Sequence, residues 1–248
     1  MNLLYEDLAE WWHLFSPPEE YVEEAAFFAK TFQDHSSGPL TTVLELGSGG
    51  GNNASHLKRH FVMTLVDLSP QMILQSGRLN PELEHHVGDM RTVRLDRTFD
   101  AVFVHDAIAY MTTKADLQQA IETAYLHCRP GGVALFAPDH VRETFAPSTD
   151  CGGSDDGLRG IRFLEWTSDP DPSDDCYTVD YVCALKADDG HIDMVHDQHI
   201  EGVFARTTWL DLLTTAGFKA NVLFYRHTQV ERELEVFVCR VPSAPTAG

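Results

Sequence analysis

Apolar runs and segments with helical spacing alternate along residues 41–137. The runs predict five strands, at 41–46, 61–67, 83–87, Phe99–His105 and Val133–Ala137. The segments between them predict helices at 52–60, from Pro70 to Gln75 behind a Ser69 cap, and at 114–128. Strands that are apolar throughout and alternate with helices are typical of a parallel sheet covered on both faces.

The pattern changes after Pro138. Residues 147–157 are rich in Pro, Ser, Gly and Asp and predict a mobile loop. Residues 161–205 alternate polar and apolar positions, which predicts three or four antiparallel strands. A helix at 207–216 and strands at 220–226 and 233–240 complete the chain, and a further helix is predicted at 19–35, ahead of the first strand.

A glycine-rich turn follows the first predicted strand. In the run from Val43 to Gly51, Glu45 precedes Gly47 and Gly49. Glycine lacks a Cβ, so a ligand can lie against bare backbone at such a turn. Asp67 ends the next strand, 22 residues after Glu45 (67 − 45), where a carboxylate can accept hydrogen bonds from both ribose hydroxyls. These residues predict a nucleoside-containing cofactor at the carboxyl ends of the sheet.

The spacing of the glycines distinguishes between cofactors. A dinucleotide fingerprint requires a third glycine where this chain has Asn52. The pattern acid-x-Gly-x-Gly-x-Gly fits instead, with Gly51 as its last member. It resembles motif I of the class I S-adenosylmethionine-dependent methyltransferases, in which the loop passes under the methionine moiety.

The resemblance continues in order along residues 38–140 and resumes at 207–240. It includes the segments Leu65–Met72, Gly88–Met90, Phe99–Asp106 and Arg129–Val133. It implies an α/β fold with a Rossmann-like, doubly wound seven-stranded sheet, mostly parallel with the last strand antiparallel, and an antiparallel β insertion after strand five.

The resemblance also implies S-adenosylmethionine as cofactor and a role for each matching residue. Asp67 would hold the ribose and Leu68 would cover the adenine. Asp89 would accept from the adenine amino group, and the Met90 amide would contact the ring. The other residues implied to bind the cofactor are Tyr21, Glu45, Gly47, Gly49, Met72 and His105.

Within this family the chain is most similar to the amino-sugar N-methyltransferases, through the stretch from Pro138 to Phe145 and the segment around Tyr21. That similarity implies that Tyr21 reaches the cofactor's carboxylate. A histidine that this subgroup places near the acceptor amine is replaced here by Tyr110, and Asp139 and His140 stand where tryptophans are expected. Tyr110 and His140 are therefore the candidate catalytic residues.

The segments define a domain organisation. Residues 1–37 predict an N-terminal helical lid, whose aromatic side chains either pack on the core or cover the cofactor. Residues 38–141 and 206–241 predict the cofactor-binding core, residues 142–205 a β-rich insertion that shapes the acceptor pocket, and residues 242–248 a disordered tail.

Two other motifs have competing interpretations. Tyr110 and Lys114 have the spacing of a short-chain dehydrogenase pair, but Lys114 is more simply the start of a surface helix. The residues His191, Asp193, His196, Asp197 and His199 suggest a metal site. A solvated strand face, shared by all of them except His196, is the favoured interpretation, and no metal is predicted.

Composition limits the partners and the compartment. The 248 residues are 43% hydrophobic, enough for a core, and carry a net charge of −20, which disfavours nucleic acid. The five cysteines form no C-x-x-C pair, which favours a reducing cytoplasm over a disulfide framework. The acidic N-terminus does not resemble a signal peptide, and no window approaches ~18 apolar residues. A homodimer is compatible with the sequence.

The sequence therefore predicts an S-adenosylmethionine-dependent methyltransferase that acts on a small-molecule acceptor, at nitrogen in preference to oxygen. Two alternatives stay open: an O-methyltransferase of a small molecule, and a protein that binds the cofactor without catalysis.

Overall fold

The computed structural model describes residues 2–228 and 233–243. Its main sheet has seven strands in the order β10-β11-β5-β4-β1-β2-β3. The strands are β1 (Thr42–Leu46), β2 (Val62–Asp67), β3 (Glu84–Val87), β4 (Phe99–Val104), β5 (Cys128–Phe136), β10 (Lys219–Arg226) and β11 (Glu233–Arg240).

Strand directions confirm the predicted fold class. β1 pairs in parallel with β2 and β4, β2 with β3, and β4 with β5. The last strand, β11, is antiparallel to both of its neighbours, β5 and β10. The carboxyl ends of β1, β2, β3 and β4 therefore meet at one edge of the sheet, where ligands bind in open α/β folds.

Helices cover both faces of this sheet. The helices are α1 (Trp12–Phe15), α2 (Val22–His35), α3 (Asn52–Leu57), α4 (Pro70–Leu79), α5 (Lys114–His127) and α6 (Arg206–Ala216), and all except the short α1, which packs on a second sheet, lie against the main sheet. Successive β1 residues Val43 and Leu44 are both fully buried, but they belong to two separate apolar clusters. One cluster includes α2 and α3, and the other includes α5 and α6. Burial on both faces explains why the strands are apolar at every position.

The segment Arg129–Gly132 interrupts the regular pairing of β5 with β4. It lies inside β5, where the pairing with β4 shifts register between Phe99 and Ala101. Gly131 has a φ of +76°, a conformation that favours glycine, so the extra residues are accommodated as an irregularity within the strand.

The predicted insertion is a separate four-stranded antiparallel sheet. Its strands pair in sequence order: β6 (Ser148–Gly152), β7 (Gly160–Ser168), β8 (Cys176–Lys186) and β9 (Ile192–Gly202). The prediction of a loop over 147–157 was wrong for residues 148–152, which pair with β7 as an edge strand. An edge strand buries little, so its polar sequence resembles that of a loop.

The N-terminal segment has two parts with different roles. Residues 3–21 form short helical turns, and their side chains Leu8, Trp11 and Leu14 are buried against the second sheet. Helix α2 instead packs on the main sheet through Phe28 and Phe32. The predicted lid at 1–37 is thus too long, because α2 is a layer of the core.

Two smaller observations complete the fold. No helix of the described residues is both long enough and apolar enough to cross a membrane. Most of the tail predicted at 242–248, from residue 244 onward, lies outside the described residues.

Candidate active site

A cavity of about 1070 Å³ lies at the carboxyl ends of β1 to β4, between the main sheet, the second sheet and the N-terminal segment. Every residue that the sequence predicts for the site lines it. The cofactor candidates are Tyr21, Glu45, Gly47, Gly49, Asp67, Leu68, Met72, Asp89, Met90 and His105, and the catalytic candidates are Tyr110 and His140.

The glycine-rich turn is held tightly against its neighbours. Gly47 has a φ of +75°, and its N–H donates to the Val66 carbonyl at 2.8 Å. A Cβ at Gly47 would lie 2.4 Å from the Ala107 Cβ. Glycine is therefore required here both by the backbone conformation and by the close approach of Ala107.

We expect Gly47→Ala to lower the free energy of unfolding by about 1–3 kcal/mol and to weaken cofactor binding. Gly77→Ala is the matched control, because Gly77 lies inside α4 and a Cβ there would meet nothing within 4 Å. That control should stabilise the protein by about 0.5–1 kcal/mol. Chemical denaturation measures both, and equal effects of the two substitutions would contradict the account.

Asp67 ties the end of β2 to the glycine-rich turn. Its Oδ2 accepts from the Gly49 N–H at 2.8 Å and its Oδ1 from the Ser69 N–H at 2.9 Å. Each carboxylate oxygen can accept a second hydrogen bond. The fixed carboxylate therefore has acceptor capacity left for a ligand in the cavity.

Glu45 is a buried acid of the site with one unpaired carboxyl oxygen. It is only 3% exposed, and its Oε2 has no hydrogen-bond partner. Burial raises the pKa of Glu45 to about 8, although the nearby His105 opposes this. A buried carboxylate without partners is costly unless a ligand supplies a donor or a cation.

Other buried polar atoms around the same cavity share this property. The Asn52 and Asn53 side-chain carbonyl oxygens, the Ser48 hydroxyl and the Trp12 indole nitrogen have no partner either. The two asparagine oxygens can only accept hydrogen bonds, and the Glu45 oxygen becomes a pure acceptor once that acid loses its proton. The cavity therefore fits a ligand rich in N–H and O–H donors, as the ammonium and hydroxyl groups of S-adenosylmethionine are.

Asp89 lies at the end of the cavity formed by the loop after β3. The Arg91 guanidinium donates to both of its carboxylate oxygens and to Asp116. The hydrogen bond from Arg91 holds the pKa of Asp89 below its usual range. Asp89 is thus ionised and can act only as an acceptor, as its predicted contact with an amino group requires.

His105 directly follows β4 and lines the cavity. Burial alone would lower the pKa of this imidazole, but Asp106 and Glu24 outweigh burial and raise it to about 10. Its Nδ1 lies 3.2 Å from Asp106 and its Nε2 lies 3.6 Å from Glu24. His105 is therefore a cation at neutral pH and is unsuited to take a proton from an acceptor.

The part of the cavity that is lined by residues after His105 is acidic and aromatic. Asp139, Glu165 and Glu201 line it, together with Tyr110 and other tyrosines. Burial raises the pKa of Glu201 to about 7, and the Tyr177 hydroxyl donates to this carboxylate. His140 packs edge-on against the Phe145 and Tyr177 rings.

The predicted strand face that carries His191, Asp193, Asp197 and His199 is exposed to solvent over only part of its length. His191 and Asp193 are exposed, as predicted, whereas Asp197 and His199 are buried beneath the N-terminal segment, so for them the prediction was wrong. No group of acidic, histidine or cysteine side chains among the described residues could hold a metal. Lys114 begins α5 and its side chain is exposed, in agreement with the interpretation of a surface helix.

Several residues of the site were not named as site residues from the sequence. Tyr5, Trp12, Asn53, Tyr177 and Glu201 all line the cavity. The sequence offered a signal for Asn53, which follows the glycine-rich turn, and for Tyr5 and Trp12, which belong to the aromatic N-terminal segment considered as a cover for the cofactor. Tyr177 and Glu201 come from the second sheet, whose packing is not evident from the sequence.

The fold and this site agree with those of a methyltransferase domain. Residues 43–132 match the family model described as a methyltransferase domain.

Particular relatives extend this assignment. The chain is 30% identical over 130 residues to dTDP-3-amino-3,4,6-trideoxy-alpha-D-glucopyranose N,N-dimethyltransferase of Streptomyces venezuelae, covering 52% of this chain and 54% of the relative. It spans about half the length of the curated relatives that it matches.

Solved structures share the fold over nearly the whole chain. DesVI of Streptomyces venezuelae superposes with a TM-score of 0.82 at 23% identity, covering 96% of this chain and 99% of that one. The S-adenosylmethionine-bound CalS10 of Micromonospora echinaspora, an amino pentose methyltransferase, gives 0.74 at 22% identity, covering 89% and 92%.

Proposed function

We propose that this chain is an S-adenosylmethionine-dependent methyltransferase that methylates the amino group of a small molecule. The observation that carries the proposal is the buried Glu45 carboxylate, whose Oε2 lacks a partner inside a cavity that also contains Asp67 and Asp89. A donor-rich, cationic cofactor compensates these acids, whereas a dinucleotide would bring a pyrophosphate to them.

Each part of the cofactor has candidate partners. Glu45 and Tyr21 would hold the ammonium and carboxylate of the methionine moiety, Asp67 the ribose, and Asp89 with Met90 the adenine, under Leu68 and Met72. Gly47 and Gly49 let the loop approach the ligand closely. His105 would form the wall below the reacting centre. When bound, the cofactor supplies a methyl group activated by its sulfonium.

The acidic end of the cavity supports an amine as acceptor. Of the described residues that line the cavity, Arg91 is the only Arg or Lys, and it is already paired with Asp89 and Asp116. Glu201, Asp139 and Glu165 would attract an ammonium group electrostatically. The relative from Streptomyces venezuelae is named for a dTDP-linked amino sugar. We therefore propose an amino sugar as the acceptor class.

Tyr110 and His140 remain the candidates for contact with the acceptor. The enzyme's main task is to align the nucleophile with the methyl group, and such positioning can contribute about 7–11 kcal/mol to lowering the barrier. The second sheet would shape the acceptor pocket and residues 2–21 would cover the cofactor and exclude water.

The partners and the compartment are part of the proposal. The net charge of −20 supports an acceptor that is neither nucleic acid nor a membrane surface, and all five cysteines are free, which supports the cytoplasm. A homodimer is also proposed, and its test is the molar mass in solution.

A methyl-transfer assay with mass-spectrometric detection tests the function. The panel contains free amino sugars, nucleotide-linked amino sugars, phenols and carboxylic acids. We expect methylation at nitrogen of at least one amino sugar. Methylation of phenols or acids alone would favour the O-methyltransferase. Cofactor binding with no transfer to any acceptor would favour a binding protein.

A further inference from the structure

A chain of hydrogen bonds leads from the acceptor end of the cavity into the protein interior. The Tyr110 hydroxyl lies 2.7 Å from the Tyr5 hydroxyl and 2.8 Å from the His199 Nδ1. The His199 Nε2 lies 3.0 Å from the Asp197 Oδ2, which also accepts from the Leu4 N–H at 2.8 Å. Tyr110 lines the cavity, and His199 is fully buried.

The direction of each hydrogen bond follows from the chemistry of the groups. Hydrogen bonds from the Leu4 backbone and from His199 outweigh burial and keep the pKa of Asp197 below its usual value, so this carboxylate only accepts. The Nε2 of His199 must then carry the proton. Burial lowers the pKa of His199, so the ring is neutral and its Nδ1 is an acceptor.

Because the His199 Nδ1 accepts, the Tyr110 hydroxyl donates to it in this arrangement, in competition with the Glu201 carboxylate, which also accepts from Tyr110, and Tyr5 then donates to Tyr110. The Tyr110 oxygen has two lone pairs, and Tyr5 occupies only one of them. The second lone pair is available to an N–H group of an acceptor in the cavity.

On the basis of the proposed function, we propose that Tyr110, His199 and Asp197 form a relay that removes a proton from the acceptor ammonium. An N–H bond of the ammonium breaks and its electron pair stays on nitrogen. The proton passes to the Tyr110 oxygen while the hydroxyl proton of Tyr110 moves to the His199 Nδ1. The result is a neutral amine, an intact tyrosine and an imidazolium beside Asp197.

The concerted transfer agrees with the surroundings of Tyr110. Burial raises the pKa of Tyr110 well above its ordinary value, so a free tyrosinate is not formed. Asp197 stabilises the imidazolium, as the buried aspartate does in a Ser-His-Asp triad. Tyr110 is the catalytic residue of the relay, and His199 and Asp197 are positioning residues that act through it.

Other titratable groups face His199 and define the competing explanation. Tyr5 from the N-terminal segment, Tyr110 from the loop after β4 and Tyr181 from β8 surround the ring within 5.9 Å between centroids. Asp197 and Glu201 lie on its own strand. Glu201 lines the cavity and could take the proton directly, which would leave the relay without a function.

The pH dependence of kcat/KM for the amine separates these possibilities. His199→Asn keeps an acceptor oxygen near the Nδ1 position but cannot take up a proton, and Tyr110→Phe removes the first step. In both variants kcat/KM at pH 7 should be about 100-fold lower than in the wild type, which is the lower limit of a typical acid–base contribution. Both should recover towards the wild-type value above the pKa of the acceptor amine, where no proton has to be removed.

The chain offers a matched control on the same strand face. His191 and Asp193 form an exposed pair with a 3.0 Å contact, so Asp193→Asn removes an equivalent pair without touching the cavity, and we expect a wild-type profile. An equal loss at every pH in both relay variants would indicate a structural role and overturn the relay. A profile that changes only in Glu201→Gln would assign the proton to Glu201 instead.

Nuclear magnetic resonance of ¹⁵N-labelled histidine tests the relay without catalysis. We expect His199 to be neutral at pH 7 with its proton on Nε2, and Tyr110→Phe to shift its Nδ1 signal. A proton on Nδ1 would overturn the relay. If wild-type protein with the expected His199 signals methylates no amine, the proposed function fails independently of this inference.

Discussion

Asp67→Ala is expected to weaken binding of S-adenosylhomocysteine at least about 100-fold, because a carboxylate that accepts two ribose hydroxyls contributes about 1.5–3 kcal/mol for each hydrogen bond. The substitution also removes the acceptor of the Gly49 and Ser69 N–H groups, so the glycine-rich turn loses its connection to β2. Isothermal titration calorimetry measures the dissociation constant.

Asp34→Ala is a suitable control for this experiment. Asp34 is an exposed acid on α2 that pairs with Lys30 and is not among the described residues that line the cavity. We expect unchanged binding in this variant. Tight binding of the cofactor product by Asp67→Ala would contradict the assignment of Asp67 to the ribose.

Glu45→Gln is expected to stabilise the free protein while weakening cofactor binding. The pKa of Glu45 is raised to about 8 from an ordinary 4.5, so the folded state binds a proton that the unfolded state releases between these values. Stability therefore falls as pH rises through this window, by about 1.4 kcal/mol per pH unit. Glutamine does not ionise, so Glu45→Gln does not lose stability in this way. Above pH 8 its free energy of unfolding should exceed that of the wild type by up to about 5 kcal/mol.

Two measurements test this prediction. Chemical denaturation between pH 5 and pH 9, scanned in about one-unit steps, should show a gap between variant and wild type that widens with pH. Calorimetry in buffers of different ionisation enthalpy should show proton release when the cofactor's ammonium binds near neutral pH, and Glu45→Gln should abolish it. A constant gap in stability would show that Glu45 is not buried as a neutral acid.

These expectations depend on residues that the sequence could identify because their motifs are local. Glu45, Asp67 and Asp89 each lie at or directly after the end of a strand in the same sheet, and parallel strands bring such positions to one edge. The glycine conformations follow from a short segment as well. Little long-range information was needed for this half of the site.

The acceptor half could not be predicted in the same way. Polar and apolar residues alternate along β9, but whether one face of the strand is exposed to solvent depends on which other segments pack on it. His191 and His199 have the same sequence character, yet only His199 lies beneath Tyr5 and Tyr110. The lid was assigned too broadly for a related reason, since the apolar positions of α2 fit any buried surface and pack on the main sheet.

The central claim is that an adenosyl sulfonium binds across the carboxyl ends of β1 to β4, held by acidic side chains. Its most direct test is calorimetric titration of the wild-type protein with S-adenosylhomocysteine and, separately, with NAD. We expect saturable one-to-one binding of S-adenosylhomocysteine and no heat of binding with NAD. Uptake of NAD without binding of S-adenosylhomocysteine would contradict the claim.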